Sequence, residues 1–571
     1  MKNNLITDSS PYLQQHKNNP VHWQVWNKDT LELAKKNKKP ILLSVGYSSC
    51  HWCHVMAHES FEDQLTADLM NKYFINIKVD REERPDIDFI FQSAYQLFNQ
   101  TGGGWPLTMF LDENAVPFMG GTYFPKEANA GLPSFKEVLQ KVGEIYSQQK
   151  DQIIKQSSTI SKHLELKKTS VINQDHEEIL KEVVFHLDEE KGGYKGAPKF
   201  PIFNVYDTVL YFYNKKKDSI YLKPLELILN QLCSQGIYDH VDGGISRYTV
   251  DENWLIPHFE KMLYDNSQFV SLLSKYLKIK KSEYFEKKAI QTIEFINTSF
   301  LNNDYNLLGS AFDADSEGEE GKFYTFNFDE IKGIANLDKY FDIKKEGNWE
   351  GKIILKEKKL PELDLILKLK ELKKNRTKPF FDKKIQLDLN CMWVSALISA
   401  NRVLPNKNYL MKAEKFYGEL DRHFLSTELF HTNSKKAVFI EDYAYAISML
   451  LDLHEDTLKP NYLIKAKKLC AETVENFFDK GMGIFQKNVK KNNDLFHNPF
   501  DIGDHTIPNG NSIMLLNFTR LGLEKEAQEL SNKLNGYLNQ YKSLMVSSVK
   551  SIDFFKSNIE KKNCNVDGCK I

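Results

Sequence analysis

The sequence predicts a multidomain chain: a small N-terminal α/β domain followed by an all-α toroid of helical hairpins, the (α/α)6 barrel. Three observations carry this. Residues 39–125 alternate short apolar strands with helices. From 176 onward the pattern changes to about a dozen successive amphipathic helices with no fixed internal period, which favours a closed toroid over a plain solenoid. The 571 residues are too many for one core.

The elements follow in order. "PILLSVGY" (40–47) is a continuous run of bulky apolar residues, the signature of a buried strand. A helix is expected from about 52 to 72, a second strand at "FINIKVD" (74–80) and a helix at 88–100. "GGGWPLTMFLDENAVPFMGGTYFP" (102–125) reads as two strands joined at Asp112-Glu113-Asn114. A polar helix is expected over 133–165. The first domain is therefore set at 1–165 and the linker at 166–175. The helical domain spans 176–545, and 546–571 reads as a loosely structured tail. Helices are expected at 176–190, 203–216, 221–236, 258–279, 283–302, 361–375, 389–404, 408–424, 441–455, 461–479, 508–521 and 523–541.

Bulk properties exclude several classes. Lys plus Arg (76) nearly cancels Asp plus Glu (77), so no long-range field recruits nucleic acid or an anionic membrane. No apolar run has signal-peptide or membrane-spanning character, so the expected compartment is the cytoplasm. Seven cysteines are too few for a disulfide scaffold. Cys233, Cys391 and Cys470 fall on expected helices as core residues.

Cys50, His51, Trp52, Cys53 and His54 spell C-x-x-C-H. The pair follows a strand and opens a helix, whose N-terminal dipole stabilises a thiolate. Cys50 is then the attacking thiol and Cys53, one turn on, the resolving one. His51 between them would stabilise the thiolate when protonated. Haem attachment and zinc share the spelling. Haem needs an exported context. Zinc would draw on Cys50, Cys53, His54 and His58, four ligands that strain to converge from one short helix. Inert packing is the plainer alternative. The redox dithiol is preferred, with no metal and no cofactor assigned. Trp52 and Trp105 flank the site as substrate-binding aromatics, and Pro106 is expected to be cis.

These stretches, with "SPYLQQHKNNPVHWQVW", "KVDREERPDID", "GGYKGAPKFP", "DADSEGEEGKFY" and "EDYAYAISMLLDLHE", resemble the thioredoxin-domain proteins of the spermatogenesis-associated type, over nearly the whole chain. The resemblance implies a thioredoxin-like domain fused to a six-hairpin glycosidase-like toroid, and no established reaction. In thioredoxin-like folds a cis-proline placed like Pro106 lies against the dithiol. The chain departs from the expected pattern in "DKKIQLDLNC", where Leu389 and Cys391 replace an expected Trp and Gly.

Polar clusters in the second half suggest a carbohydrate-type site. "YDHVDGGISRYTVDENWLIPHFEKMLYDN" (238–266) groups Arg247, Trp254, His258, Glu260 and Asp265, mixing carboxylates with aromatic faces. His258 and Glu260, facing Asp313 or Asp315, would suit acid–base chemistry on a sugar. Glu441 and Asp442 would bind substrate or simply complement a helix N-terminus. Glu317 to Glu320 read equally as a solvated turn. "DADSEG" opens like a calcium loop, but Tyr324 stands at the twelfth position in place of the chelating Glu. Cys564 and Cys569 form a tail pair. The expected activity is thiol-disulfide exchange or redox regulation, with a redox partner protein or small thiol. The alternatives are a glycoside hydrolase or sugar epimerase with a regulatory thioredoxin-like domain and a carbohydrate ligand, or a non-enzymatic scaffold.

Overall fold

The computed structural model describes residues 1–567 apart from 130, 171–173, 427 and 491–493. The chain forms two compact units. The first comprises residues 1–168 together with two later segments, 430–439 and 486–500. Its elements are α1 (Pro11–Gln15), α2 (Lys28–Asn37), β1 (Ile41–Gly46), α3 (His51–Met56), α4 (Gln64–Tyr73), β2 (Ile75–Asp80), α5 (Pro85–Asn99), β3 (Leu107–Leu111), β4 (Pro117–Gly121), α6 (Phe135–Gln148) and α7 (Lys150–Leu164). The sheet order is β2-β1-β3-β4, with β1 parallel to β2 and the other pairs antiparallel.

β1 and β2 are buried at every residue, because helices cover both faces of the sheet. Strand alternation sends Leu42 to a core with Tyr12, Trp23 and Phe61, and sends Ile41, Leu43 and Val45 to a second core with Ile87 and Phe91. Two expected helices are broken. The 52–72 stretch contains a π turn at Ala57–Phe61 and restarts at Asp63, whose carboxylate accepts from Thr66 N. The 133–165 stretch breaks at Gln149 into α6 and α7.

The two later segments grip the acidic loop after β2. His431 Nε2 donates to the Glu82 carbonyl at 2.9 Å. Lys436 pairs with Asp8 at 2.7 Å and Glu83 at 2.8 Å. Arg84 pairs with both Asp86 and Asp494, and the Asn488 amide donates to Asp86 Oδ2. Burial alone would raise the Asp86 carboxyl, but Arg84 and Asn488 outweigh it and hold the pKa below the usual range.

The second unit comprises residues 169–429, 440–485 and 501 onward. It runs through α8 (His176–Phe185), α9 (Phe203–Lys216), α10 (Ser219–Ser234), β5 (Tyr248–Thr249), β6 (Pro257–His258), β7 (Lys261–Met262), α11 (Leu263–Leu277) and α12 (Glu283–Ser299). Short elements follow: β8 (Leu301–Asn302), β9 (Leu307–Leu308), β10 (Ala311–Phe312), β11 (Asp315–Ser316), β12 (Glu319–Glu320), α13 (Phe328–Ile331), α14 (Leu337–Tyr340), α15 (Leu363–Lys373) and β13 (Phe381–Asp382). The remainder is α16 (Leu387–Asn401), α17 (Tyr409–Leu420), α18 (Ile440–Thr457), α19 (Pro460–Phe477), β14 (Phe478–Asp479), β15 (Ile484–Phe485), α20 (Gly510–Leu521), α21 (Glu524–Tyr541) and α22 (Val546–Asp567).

Six helices close a ring: α9 packs on α11, α11 on α16, α16 on α18, α18 on α20, α20 on α22, and α22 back on α9. α10, α12, α17, α19 and α21 back the first five, and α8 backs α22. This is the (α/α)6 toroid. Inner helices such as α16 are buried almost all round, as their apolar sequences require. The region read as a loose tail is instead α22, the closing member of the ring, with Val546, Val549, Ile552 and Phe555 packed inward. Cys564 lies on this helix; Cys569 lies outside the described residues. Among the described residues, no helix is long and apolar enough to cross a membrane.

Candidate functional site

In the first unit, β1 ends at Gly46 and the chain turns through Tyr47, Ser48 and Ser49 to Cys50. Cys50 is the N-cap of α3, and its Sγ accepts from Cys53 N at 3.3 Å. The two cysteines are joined by a disulfide with Cα atoms 5.2 Å apart. Both are buried, at 3% and 1% exposure. Trp52, by contrast, is 49% exposed, with its edge on Tyr123, whose hydroxyl donates to Glu59. His51 packs against Trp52. His58 is exposed and turned to Glu62, so the four side chains considered for zinc do not converge.

The Trp105–Pro106 bond is cis. It precedes the last paired positions of β3 and β1, Leu107 and Val45, which brings Pro106 level with Gly46. Trp105 is held from two sides: its Nε1 donates to Asp88 Oδ1 at 2.8 Å, and the Arg81 guanidinium lies 4.0 Å over its ring. Arg81 in turn meets Asp88 at 3.3 Å.

Under the dithiol lies a buried polar group that the sequence reading did not include. Ser10 caps α1 and donates to Asp80 Oδ2 at 2.7 Å. Lys78 Nζ donates to Ser44 Oγ at 3.2 Å and faces the rings of Phe61, Trp23 and Tyr12 at 4.4, 4.8 and 5.0 Å. Burial pushes the Lys78 amine well below the usual lysine range. The visible signal was a lysine in the middle of the apolar strand "INIKVD".

In the second unit, short ladders deliver side chains to the ring. The sheet β13-β10-β7 runs directly into α11 and positions Glu260, Asp313 and Asp382 at its strand ends. β5 pairs with β6 so that Tyr248 lies over His258, ring centroids 4.9 Å apart. His258 Nδ1 meets Glu320 Oε1 at 2.6 Å, and its Nε2 lies 3.6 Å from Glu260 Oε1. Arg247 Nη1 donates to the same Glu260 oxygen at 3.0 Å. Asp265, in the first turn of α11, is buried with Oδ2 unpartnered. Burial raises its pKa well above the usual range; Arg247 opposes this and Glu260 adds to it.

Arg247, His258, Glu260 and Asp265 thus come together. The expected neighbour of His258, Glu260, lies 3.6 Å away, and Glu320 adds a shorter contact at Nδ1. Asp315 lies opposite Glu320 across the β11–β12 hairpin, and Asp313 accepts from the Asp315 amide. Trp254 is corrected. It is fully buried, donates to the Lys191 carbonyl and packs against Gly193, so it offers no face to a ligand. Glu441 and Asp442 are buried in the first turn of α18. Cys233, Cys391 and Cys470 are buried free thiols.

A family model described as a thioredoxin-like protein of unknown function, DUF255, matches residues 2–165. The chain is 32% identical to an uncharacterized protein of Caenorhabditis elegans, over 94% of this chain and 82% of that one. It is 30% identical to human spermatogenesis-associated protein 20, over 91% of this chain and 76% of that one. Among solved structures, cellobiose 2-epimerase from Bacillus thermoamylovorans is similar at TM-score 0.42 and 13% identity, covering 64% of this chain and 87% of that one. A D-mannose isomerase is similar at TM-score 0.43 and 13% identity, covering 67% and 96%.

Proposed function

This chain belongs to the family of spermatogenesis-associated protein 20, and on that premise we propose that its thioredoxin-like unit is a thiol-disulfide oxidoreductase. One observation carries the reading: Cys50 caps α3 with its sulfur on the Cys53 amide and is joined to Cys53 in a disulfide just after β1. In the reduced protein that amide is a ready donor to a Cys50 thiolate, which lowers the thiol pKa. Cys50 attacks the substrate disulfide, and Cys53 then displaces the substrate thiolate and closes the pair. Exposed Trp52 provides the apolar contact for an incoming redox partner protein or small thiol, and Pro106 and Trp105 line the approach. The test is alkylation and mass spectrometry across glutathione ratios. A reversible two-electron transition, lost in Cys53→Ser, is expected. A pair that stays closed or stays open at every ratio would refute the reading.

A second reading concerns the toroid. Asp265, its pKa raised by burial, lies beside Glu260 and Arg247, while His258 sits between Glu260 and Glu320. A buried carboxyl and a histidine held between two carboxylates, beside the Tyr248 ring, suit proton transfer on a sugar. Incorporation of solvent deuterium at C2 of an aldose or reducing disaccharide, abolished by His258→Ala and retained in Cys50→Ser, is the expected result.

A further inference from the structure

Tyr12 is fully buried, and among the described residues its O–H has no acceptor in good hydrogen-bond geometry, the Ser44 hydroxyl being its nearest polar influence. A buried donor left without an acceptor is unfavourable, so the space it faces matters. Gly46 marks that space. A Cβ placed on Gly46 would stand 2.3 Å from Tyr12 Oη and 2.8 Å from Cys53 Sγ. The hydroxyl and the sulfur therefore both pack against the bare backbone of Gly46, in space that a side chain at residue 46 would need. Ser44 and Lys78 line the ground beneath it.

In the disulfide, Cys53 Sγ is bonded to Cys50 and is a poor acceptor. Reduction releases it, restores rotation about χ1, and turns it into a thiol or thiolate, a better acceptor for an O–H donor. We propose that Tyr12 is a positioning residue whose hydroxyl donates to Cys53 only in the reduced protein, stabilising the dithiol and making the pair more oxidising. This rests on the oxidoreductase reading. The exchange is balanced: the disulfide plus two small thiols gives two cysteine thiols and one small-molecule disulfide. One S–S bond breaks, one forms, and two protons move to the cysteines. Burial, then Asp80, raises the Tyr12 pKa and outweighs the opposing effect of the Ser44 hydroxyl, so the Tyr12 hydroxyl keeps its proton.

The experiment is the glutathione titration repeated on Tyr12→Phe, which keeps the ring and its edge contact with His16. Losing the donor should shift the equilibrium about tenfold toward the disulfide, equivalent to about 30 mV toward a lower potential. In the Cys50→Ser background, the pH midpoint of Cys53 alkylation should also rise. A Tyr12→Phe equilibrium within about twofold of wild type, with an unmoved alkylation midpoint, overturns the proposal. A wild type with no reversible transition refutes the oxidoreductase reading itself, a distinguishable outcome. Should the variant misfold, oxidised-minus-reduced infrared difference spectra of the wild type give an independent answer. A shifted tyrosine C–O band supports the bond, and a null band removes it.

Discussion

Replacing Lys78 by methionine should stabilise the thioredoxin-like unit. Lys78 is 1% exposed, and its hydrogen bond goes to Ser44, a neutral hydroxyl. Three aromatic faces return part of the lost hydration, about 0.5–2 kcal/mol each. Desolvating an ammonium costs several kcal/mol even after relaxation, and this burial holds the amine's pKa well below the usual lysine range. Methionine keeps the straight chain, avoids that cost, and gives up one hydrogen bond worth about 1 kcal/mol plus the ring contacts. A net gain of about 1–3 kcal/mol at pH 7 is expected, as when a buried charge gives way to an apolar side chain of similar volume. The pH dependence has a definite sign. The folded pKa is lowered, so the unfolded chain binds the extra proton between that pKa and about 10.4. Wild-type stability therefore rises with pH through this window, by up to about 1.4 kcal/mol per unit. Lys78→Met should flatten that rise. Urea unfolding read by pulse proteolysis, following the first unit's fragments between pH 7 and 10, measures both quantities. A variant less stable than wild type at pH 7, or one that keeps the full slope, would refute the reasoning.

Two further outcomes are expected. Gly46→Ala drives a methyl against the Tyr12 hydroxyl and the Cys53 sulfur, and should destabilise the same unit by about 1–3 kcal/mol in the same unfolding assay. Asp265 has a raised folded pKa, so the unfolded chain releases its proton first and the toroid loses stability as pH rises above about 4. Calorimetry at pH 5 and pH 8 should show that loss in wild type, and Asp265→Asn should remove most of it.

Much of the architecture was legible in the sequence, because β1, β2 and most ring helices carry strong apolar patterns. α22 was not. Its inward positions include Ser547, Ser548 and Ser551, and Ser548 bonds Ser512 at 2.7 Å where two ring helices approach closely. Small polar residues at a tight crossing look like surface. Glu320 was obscured differently. In a two-residue strand, alternation sends Glu319 outward to Lys352 and Glu320 inward to His258, and an acidic run does not reveal which carboxylate faces which way. Trp254 carried the opposite ambiguity: an indole among carboxylates suits a ligand face and a filled core equally, and the bare Gly193 backbone settles it as core. Cys50 and Cys53 were legible because strand, turn and helix are contiguous there. Tyr12 and Lys78 reach them only through the fold.

The segments that clasp the acidic loop after β2 also set the order of events during synthesis. The first 168 residues leave the ribosome without residues 430–439 and 486–500, which belong to the same compact unit. At about 5–20 residues per second, those pieces emerge roughly 15–70 s later. During that interval Asp8, Glu83 and Asp86 lack Lys436 and Asn488, and Arg84 lacks Asp494. The unit encoded first is therefore completed only after most of the toroid has been made, and a nascent chain stalled before residue 500 carries a dithiol domain still missing part of itself.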